Sequence, residues 1–211
     1  MAPAATVRHA AASLLTVALL ATTGVRAAEV HSLKVVNHGL RYQFSADISL
    51  AAPPASVYKV LTDYNHLTRI NGAIRVSRLL SRPDPHTALV YVETRVCIAL
   101  FCRTLKQTRE VTELTSRDIV AQTLPQQSNV RFGTASWHLE PEGEGTRMYW
   151  QSTIEPAFWI PLVVGTALMR GALAEQGRAS ARGIEKLARD WAHLPPLTAT
   201  NAHHDKANVK H

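Results

Sequence analysis

From Gly39 to Glu155 the chain alternates apolar and polar residues between turn signals. It then changes period once, into IPLVVGTALMRGALAEQGRASARGIEKLARDWA, Ile160 to Ala192. Period two marks strands buried on one side, and period 3.6 marks a helix. Many strands followed by one long helix are packed most economically with the helix across one face of the sheet, an arrangement that readily leaves a pocket. Leu162, Thr166, Met169, Leu173, Gln176, Ser180, Ile184, Leu187 and Trp191 form one stripe of that helix, apolar at both ends and polar in the middle. In its C-terminal half Ile184, Leu187, Ala188 and Trp191 should face inward, and Arg182, Glu185, Lys186, Arg189 and Asp190 should face water. From Phe158 to Met169 apolar residues run all round without a charge, so that half is expected to be core, a lid over a cavity mouth, or a surface that touches membrane transiently. Pro161 to Ala192 would span ~48 Å as a helix, against ~23 Å for a seven-residue strand. The helix must therefore overrun the sheet or bend, and Gly165, Gly171, Gly177 and Gly183 are the low-propensity places to do so.

The strands follow in order. Leu40, Tyr42, Phe44, Ala46, Ile48 and Leu50 alternate with polar residues until Pro53 and Pro54 stop the strand. Proline suits a first helical turn, and Ala55 to Tyr64 puts Val57, Val60, Leu61 and Tyr64 on one face. A second short helix is expected around Asn65 to Ile70. Further strands are expected at Ile74 to Leu80, Ala88 to Cys97, Cys102 to Leu114, Asp118 to Leu124, Val130 to Glu140 and Thr146 to Glu155, about seven in all. Pro141 to Gly145 reads as a hairpin loop.

Both ends read differently. Arg8, the apolar run Ala10 to Ala21 and the small residues Val25 and Ala27 have the form of a signal peptide (residues 1–27) cleaved after Ala27, which implies a periplasmic or secreted protein. An uncleaved anchor is the competing reading, but the run is shorter than the ~20 residues a bilayer span needs. Residues 28–38 have no clear period and read as a leader. Residues 193–211, with Pro195-Pro196 and scattered histidines, read as a disordered tail. The folded domain is therefore expected over residues 39–192. Losing Arg8 and Arg26 lowers the formal charge from +7 to +5. The remaining Lys and Arg are interspersed with acids, which argues against a nucleic-acid partner.

Cys97 and Cys102 are the only cysteines. In an exported chain such a pair in a hairpin reads as a structural disulfide, while a redox pair would want two-residue spacing and a helix N-terminus. Placing them opposite each other pairs Glu93 with Lys106 on the same face. The other face then carries Val90, Val92, Thr94 and Val96 beside Leu105, Gln107, Arg109 and Val111. An arginine there is expensive to bury unpaired. It is either a binding group for an anionic or carbonyl-bearing head group, with Gln107 as second donor, or it makes an internal ion pair or snorkels to the rim. Trp137, Met148, Trp150, Met169 and Leu173 would line a cavity or fill a plain core. Leu100 and Phe101, apolar at a hairpin tip, either fold over the sheet end or border an opening. No phosphate loop, nucleophile elbow or zinc signature is present. His66 is the one histidine worth testing as an acid or base, against the reading of an exposed helix-end histidine. No cofactor or metal is called for.

The stretch ISLAAPPASVYKVLTDYNHLTRINGAIRVSRLL, Ile48 to Leu80, together with the last strand and helix, Thr146 to Ala192, resembles the SRPBCC or START-like superfamily, the helix-grip proteins that include birch-pollen-like allergens. Within it the chain is similar to the branch of polyketide cyclase/dehydrase and coenzyme-Q-binding START domains, with Asn71 where such sequences commonly carry proline. The resemblance covers Leu40 to Ala192. It implies an α+β helix-grip fold, a curved antiparallel sheet of about seven strands around a long C-terminal helix, with two short helices after the first strand. It also implies a cavity between sheet and helix for a hydrophobic small molecule or lipid; together with the signal peptide this leads us to expect a periplasmic or secreted carrier, acting as a monomer. A cyclase or aromatase acting on a polyketide-like substrate, and an interaction module with a filled core, are the alternatives.

Overall fold

The computed structural model describes residues 28–98, 101–157 and 166–197. The segment read as a signal peptide, the tip residue Leu100, most of the apolar stretch proposed as a lid and the tail beyond 197 lie outside the described residues, as do the side chains of Met169 and Thr166.

The strands are β1 (Glu29–His38), β2 (Arg41–Leu50), β3 (Ile74–Asp84), β4 (Thr87–Ile98), β5 (Phe101–Glu113), β6 (Asp118–Thr123), β7 (Val130–Glu142) and β8 (Gly145–Pro156). Helix α1 (Pro54–Thr62) follows β2, a 3-10 turn spans Leu67–Arg69, and α2 (Thr166–Trp191) closes the fold. All eight strands join one antiparallel sheet in the order β1-β2-β8-β7-β6-β5-β4-β3. A flat sheet would hold β2 and β4 ~24 Å apart, five strand spacings. Both nevertheless touch α2, a cylinder of ~10 Å, so the sheet curls round the helix. This is the helix-grip fold, with eight strands rather than seven.

The extra strand is β1, which occupies the residues read as an unstructured leader. It pairs with β2 from Glu29↔Ser49 to His38↔Arg41, with a bulge between Val30 and Ser32. The bulge slips the alternation by one residue, so the apolar positions Val30, Leu33 and Val35 never show a clean period of two. The β1–β2 turn uses Gly39 at φ +61°, which also leaves Leu40 exposed rather than inward. In the β7–β8 hairpin only Gly143 and Glu144 form the turn, with Gly143 at φ +59°.

The core fills one end of the molecule. Ile48, Leu50, Val57, Val60, Leu139 and Met148 from the sheet and α1 enclose Ala181, Ile184, Leu187 and Ala188 of α2. Trp191, expected to face inward, is 47% exposed, and Lys59 lies over its ring at 5.5 Å. Glu185 and Arg189, expected in water, are only 4% and 6% exposed. They are buried because they satisfy loose backbone. Glu185 accepts the N–H groups of Ala28 and Ala51, each at 2.8 Å, and Arg189 donates to the carbonyls of Ala51 and Pro195. Residues 193–197, assigned to the tail, thus begin by turning back on α2. His193 takes φ 54°, and Leu194 N–H closes the helix on Arg189 O at 3.0 Å.

Two glycines of α2, Gly177 and Gly183, are points of close contact. A Cβ on Gly177 would lie 2.7 Å from the Phe44 ring, and one on Gly183 would lie 1.8 Å from Ile70 O, while among the described residues nothing stands within 4 Å of one on Gly171.

Glu113, at the end of β5, ties α1 to the sheet. Its carboxylate accepts from Tyr58, from Tyr64 at 2.9 Å and from Arg82 at 3.0 Å. Burial alone would raise its pKa, but these donors outweigh burial and hold the carboxyl below its ordinary value. A carboxyl lowered by folding stabilises the fold above its unfolded value, about 4.3. That contribution is lost as pH falls through the folded value. Glu113→Gln is therefore expected to lower the thermal midpoint at pH 7 and to flatten its decline between about pH 5 and 3. A variant whose midpoint falls with pH as steeply as the parent's would contradict this assignment.

Candidate functional site

Away from the filled end, α2 and the sheet part. The space between them is a cavity of about 240 Å³, just under the roughly 300 Å³ at the lower end of ligand pockets. The core is thus hollow at one end, though modestly.

Period two explains what the sheet contributes. The β4–β5 register is continuous from Thr87↔Thr112 to Ile98↔Phe101, with Cys97↔Cys102, Glu93↔Lys106, Val92↔Gln107 and Val90↔Arg109. Cys97 and Cys102 form a disulfide on the outer face. Glu93 and Lys106 stand on that face at 3.9 Å. Inner residues Val90, Val92, Thr94, Val96, Leu105, Gln107 and Arg109 line the cavity.

Of the sequence-predicted ligand-binding residues, Gln107, Arg109, Trp137, Trp150 and Leu173 come together around this space. Met148 does not reach it. It lies on the same face of β8 as Trp150 but one pair nearer the filled end, 0% exposed in the core beneath α1. His66 is exposed, outside the cavity, with Nδ1 at 2.8 Å from Asp63 Oδ1. It is not among the residues that line the cavity.

Arg109 is the distinctive group. Among the described residues it makes no ion pair. Its Nη2 donates to Gln107 Oε1, and Gln107 Nε2 donates to Thr123 Oγ1 at 3.0 Å. Burial pushes the guanidinium down to about 10, with no carboxylate to hold it up. This short polar relay sits over Gly133, where a Cβ would come within 2.3 Å of Thr123 Oγ1 and 3.2 Å of Gln107 Nε2. The remaining N–H donors of Arg109 have no protein acceptor among the described residues.

Aromatic rings flank this relay. Trp150 stacks near Trp137 at 6.2 Å between centroids and tilts against Phe44 at 4.6 Å. Its indole N–H is buried without a hydrogen-bond partner. On the helix side Leu173, Gln176, Ser180 and Ile184 complete the wall. Asn71 is the lining residue that sequence reasoning passed over as a mere turn variant. Its Nδ2 reaches Gln176 Oε1 at 2.9 Å and Ser180 Oγ at 3.0 Å, tying the turn before β3 to the polar middle of α2. The polar stripe on the helix was the available signal, since buried polar groups require partners. At the far end Tyr42 packs with Val96, Phe101, Ile154, Ala172 and Leu173, so Phe101 folds in over the sheet end beside the first turns of α2.

Among the described residues no cluster of metal-ligating side chains occurs, and no helix is long and apolar enough to cross a membrane. The family model for polyketide cyclase / dehydrase and lipid transport matches residues 41–190, most of the chain. The chain belongs to that family. The polyketide cyclase / dehydrase and lipid transport family match begins at β2, so β1 precedes it. Solved structures share the fold at low identity. A Thermus thermophilus protein aligns with TM-score 0.60 and 17% identity over 71% of this chain and 99% of that one. A STAR-related lipid transfer protein from Xanthomonas axonopodis aligns with TM-score 0.59 and 16% identity over 77% and 99%. The Zhui aromatase/cyclase from a Streptomyces species aligns with TM-score 0.57 and 13% identity over 72% and 96%. No curated protein matches the sequence.

Proposed function

We propose that this protein is an exported carrier. It binds a hydrophobic small molecule or lipid whose anionic or carbonyl head group rests on Arg109 and whose apolar body lies between Trp137, Trp150 and α2. The observation that carries this reading is an unneutralised guanidinium in a cavity whose wall is mostly apolar. Burying an unpaired charge is costly, and a negatively charged or strongly accepting group is what offsets the cost. Gln107, already engaged with Arg109, fixes the guanidinium's orientation.

The family and its neighbours leave two uses for such a site, carriage and cyclase chemistry. Among the described residues, the ionisable ones on the wall are Tyr42, Tyr64 and Arg109. Burial raises both phenols further, and Tyr64 is also tied to Glu113. General acid–base catalysis works best with a group titrating near the operating pH, and these groups lie far from it. That supports carriage, with Arg109 orienting a carbonyl as the route left to a cyclase.

The test is native mass spectrometry and organic extraction of protein expressed with its own leader and recovered from the periplasm. The carrier reading expects an apolar molecule with an acidic or carbonyl group at about one per chain. Recovery of nothing, together with no binding of apolar carboxylate probes, would end it. Turnover of a polyketide-like substrate that Arg109→Met abolishes would move the assignment to the cyclase.

A further inference from the structure

Glu185 is a buried carboxyl with no cation in hydrogen-bonding contact among the described residues. Its two oxygens each accept one backbone N–H, from Ala51 and from Ala28, and among the described residues it forms no ion pair. Arg189, one turn further along α2 and also buried, is the charged group that faces it, but its guanidinium is directed to the carbonyls of Ala51 and Pro195. With only neutral donors in contact and Arg189 acting from a distance, burial still outweighs compensation at this carboxyl. Ala28 is no ordinary donor: it is the residue that becomes the amino terminus if the leader is cut after Ala27, as Val25 and Ala27 indicate. Two unrelated observations, a peptidase signature in the sequence and a waiting carboxylate in the fold, therefore meet at one nitrogen atom.

We infer that Glu185 is the receptor for the new amino terminus, and that leader removal completes the domain by placing the α-ammonium group of Ala28 on the buried carboxylate. The step is hydrolysis of the Ala27–Ala28 peptide bond. One water is consumed, Ala27 leaves as a carboxylate, and the Ala28 amine takes up a proton. The nitrogen need not move, since it already lies 2.8 Å from Glu185 Oε2. A neutral hydrogen bond becomes a charge-assisted one, which is shorter and stronger. The Ala28 side chain packs against the main core, so the terminus is held on its apolar side as well. The pair joins the start of β1, the link between β2 and α1, and α2. It makes the processed protein the more stable form, and it rests on the reading of residues 1–27 as a leader rather than on the ligand assignment.

The experiment has three parts. Intact mass of the exported protein should correspond to a chain beginning at Ala28, and a start at any other residue overturns the inference. The α-amino group of the processed protein, followed by NMR or by its acylation rate against pH, should titrate at least about one unit above the ordinary ~7.7–8.0, and at an ordinary value in Glu185→Gln. One extra residue ahead of Ala28 should lower the thermal midpoint by several degrees in the parent and leave that of Glu185→Gln unchanged. Equal shifts in both, or an ordinary α-amino titration in the parent, overturn it. If Glu185→Gln does not fold, the titration of the parent decides alone.

Discussion

Gly183→Ala is expected to cost about 3 kcal/mol or more, a fall in thermal midpoint on the order of 6–12 °C for a domain of this size. Helix propensity alone predicts the opposite sign, because alanine is preferred over glycine in a helix interior by up to about 1 kcal/mol. Geometry decides. The added Cβ would stand 1.8 Å from Ile70 O and 2.8 Å from Ile70 C, both backbone atoms that no rotamer change can remove. Either α2 lifts from the turn that ends at Ile70, opening the filled end of the core, or that turn is pushed out. Gly171→Ala supplies the control within the same helix. Among the described residues no atom stands within 4 Å of its Cβ, so helix propensity should decide and the midpoint should rise slightly. Thermal unfolding of the two variants by circular dichroism checks both signs, and equal shifts would show that contact with Ile70 does not hold the helix down.

Arg109→Met is expected to move stability and binding in opposite directions. Methionine fills similar space, removes a cation that no carboxylate compensates, and leaves Gln107 and Thr123 paired with each other. Replacing buried charge with a well-packed apolar group is often neutral or stabilising, so the midpoint should hold or rise. Truncating one partner of a buried charged contact typically costs 2–5 kcal/mol of binding. The loss for an acidic apolar ligand should therefore be at least about 30-fold. A variant that loses stability and keeps its affinity would make Arg109 a structural residue.

Much of this was legible before the fold was seen, for reasons that differ by residue. Opposing Cys97 to Cys102 fixes which side chains of the hairpin share a face, so Gln107 and Arg109 could be placed inside from alternation alone. Alternation gives the face but not the position along the strand. That is why Met148 and Trp150, two residues apart, end in a filled core and at a cavity wall respectively. Glu185 and Arg189 were misplaced because an amphipathic reading sorts by residue type, whereas their burial depends on unpaired backbone at Ala28, Ala51 and Pro195, far away in sequence. Gly177 and Gly183 show the same limit: low helix propensity marks them in the sequence, and only the neighbouring chain shows the close approach. A bulge hid β1. Asn71 was visible as a departure from its relatives, but its partners on α2 lie over a hundred residues away.

The central claim is that the cavity recognises an acidic or carbonyl head group through Arg109 while holding an apolar body. A fluorescent aryl carboxylate and its isosteric neutral amide, titrated into the exported protein after delipidation, test it most directly. The account predicts saturable binding of both, tighter for the carboxylate by about tenfold or more, with the preference lost in Arg109→Met. Equal affinity for the two probes in the parent protein, or a preference that survives in Arg109→Met, would contradict it.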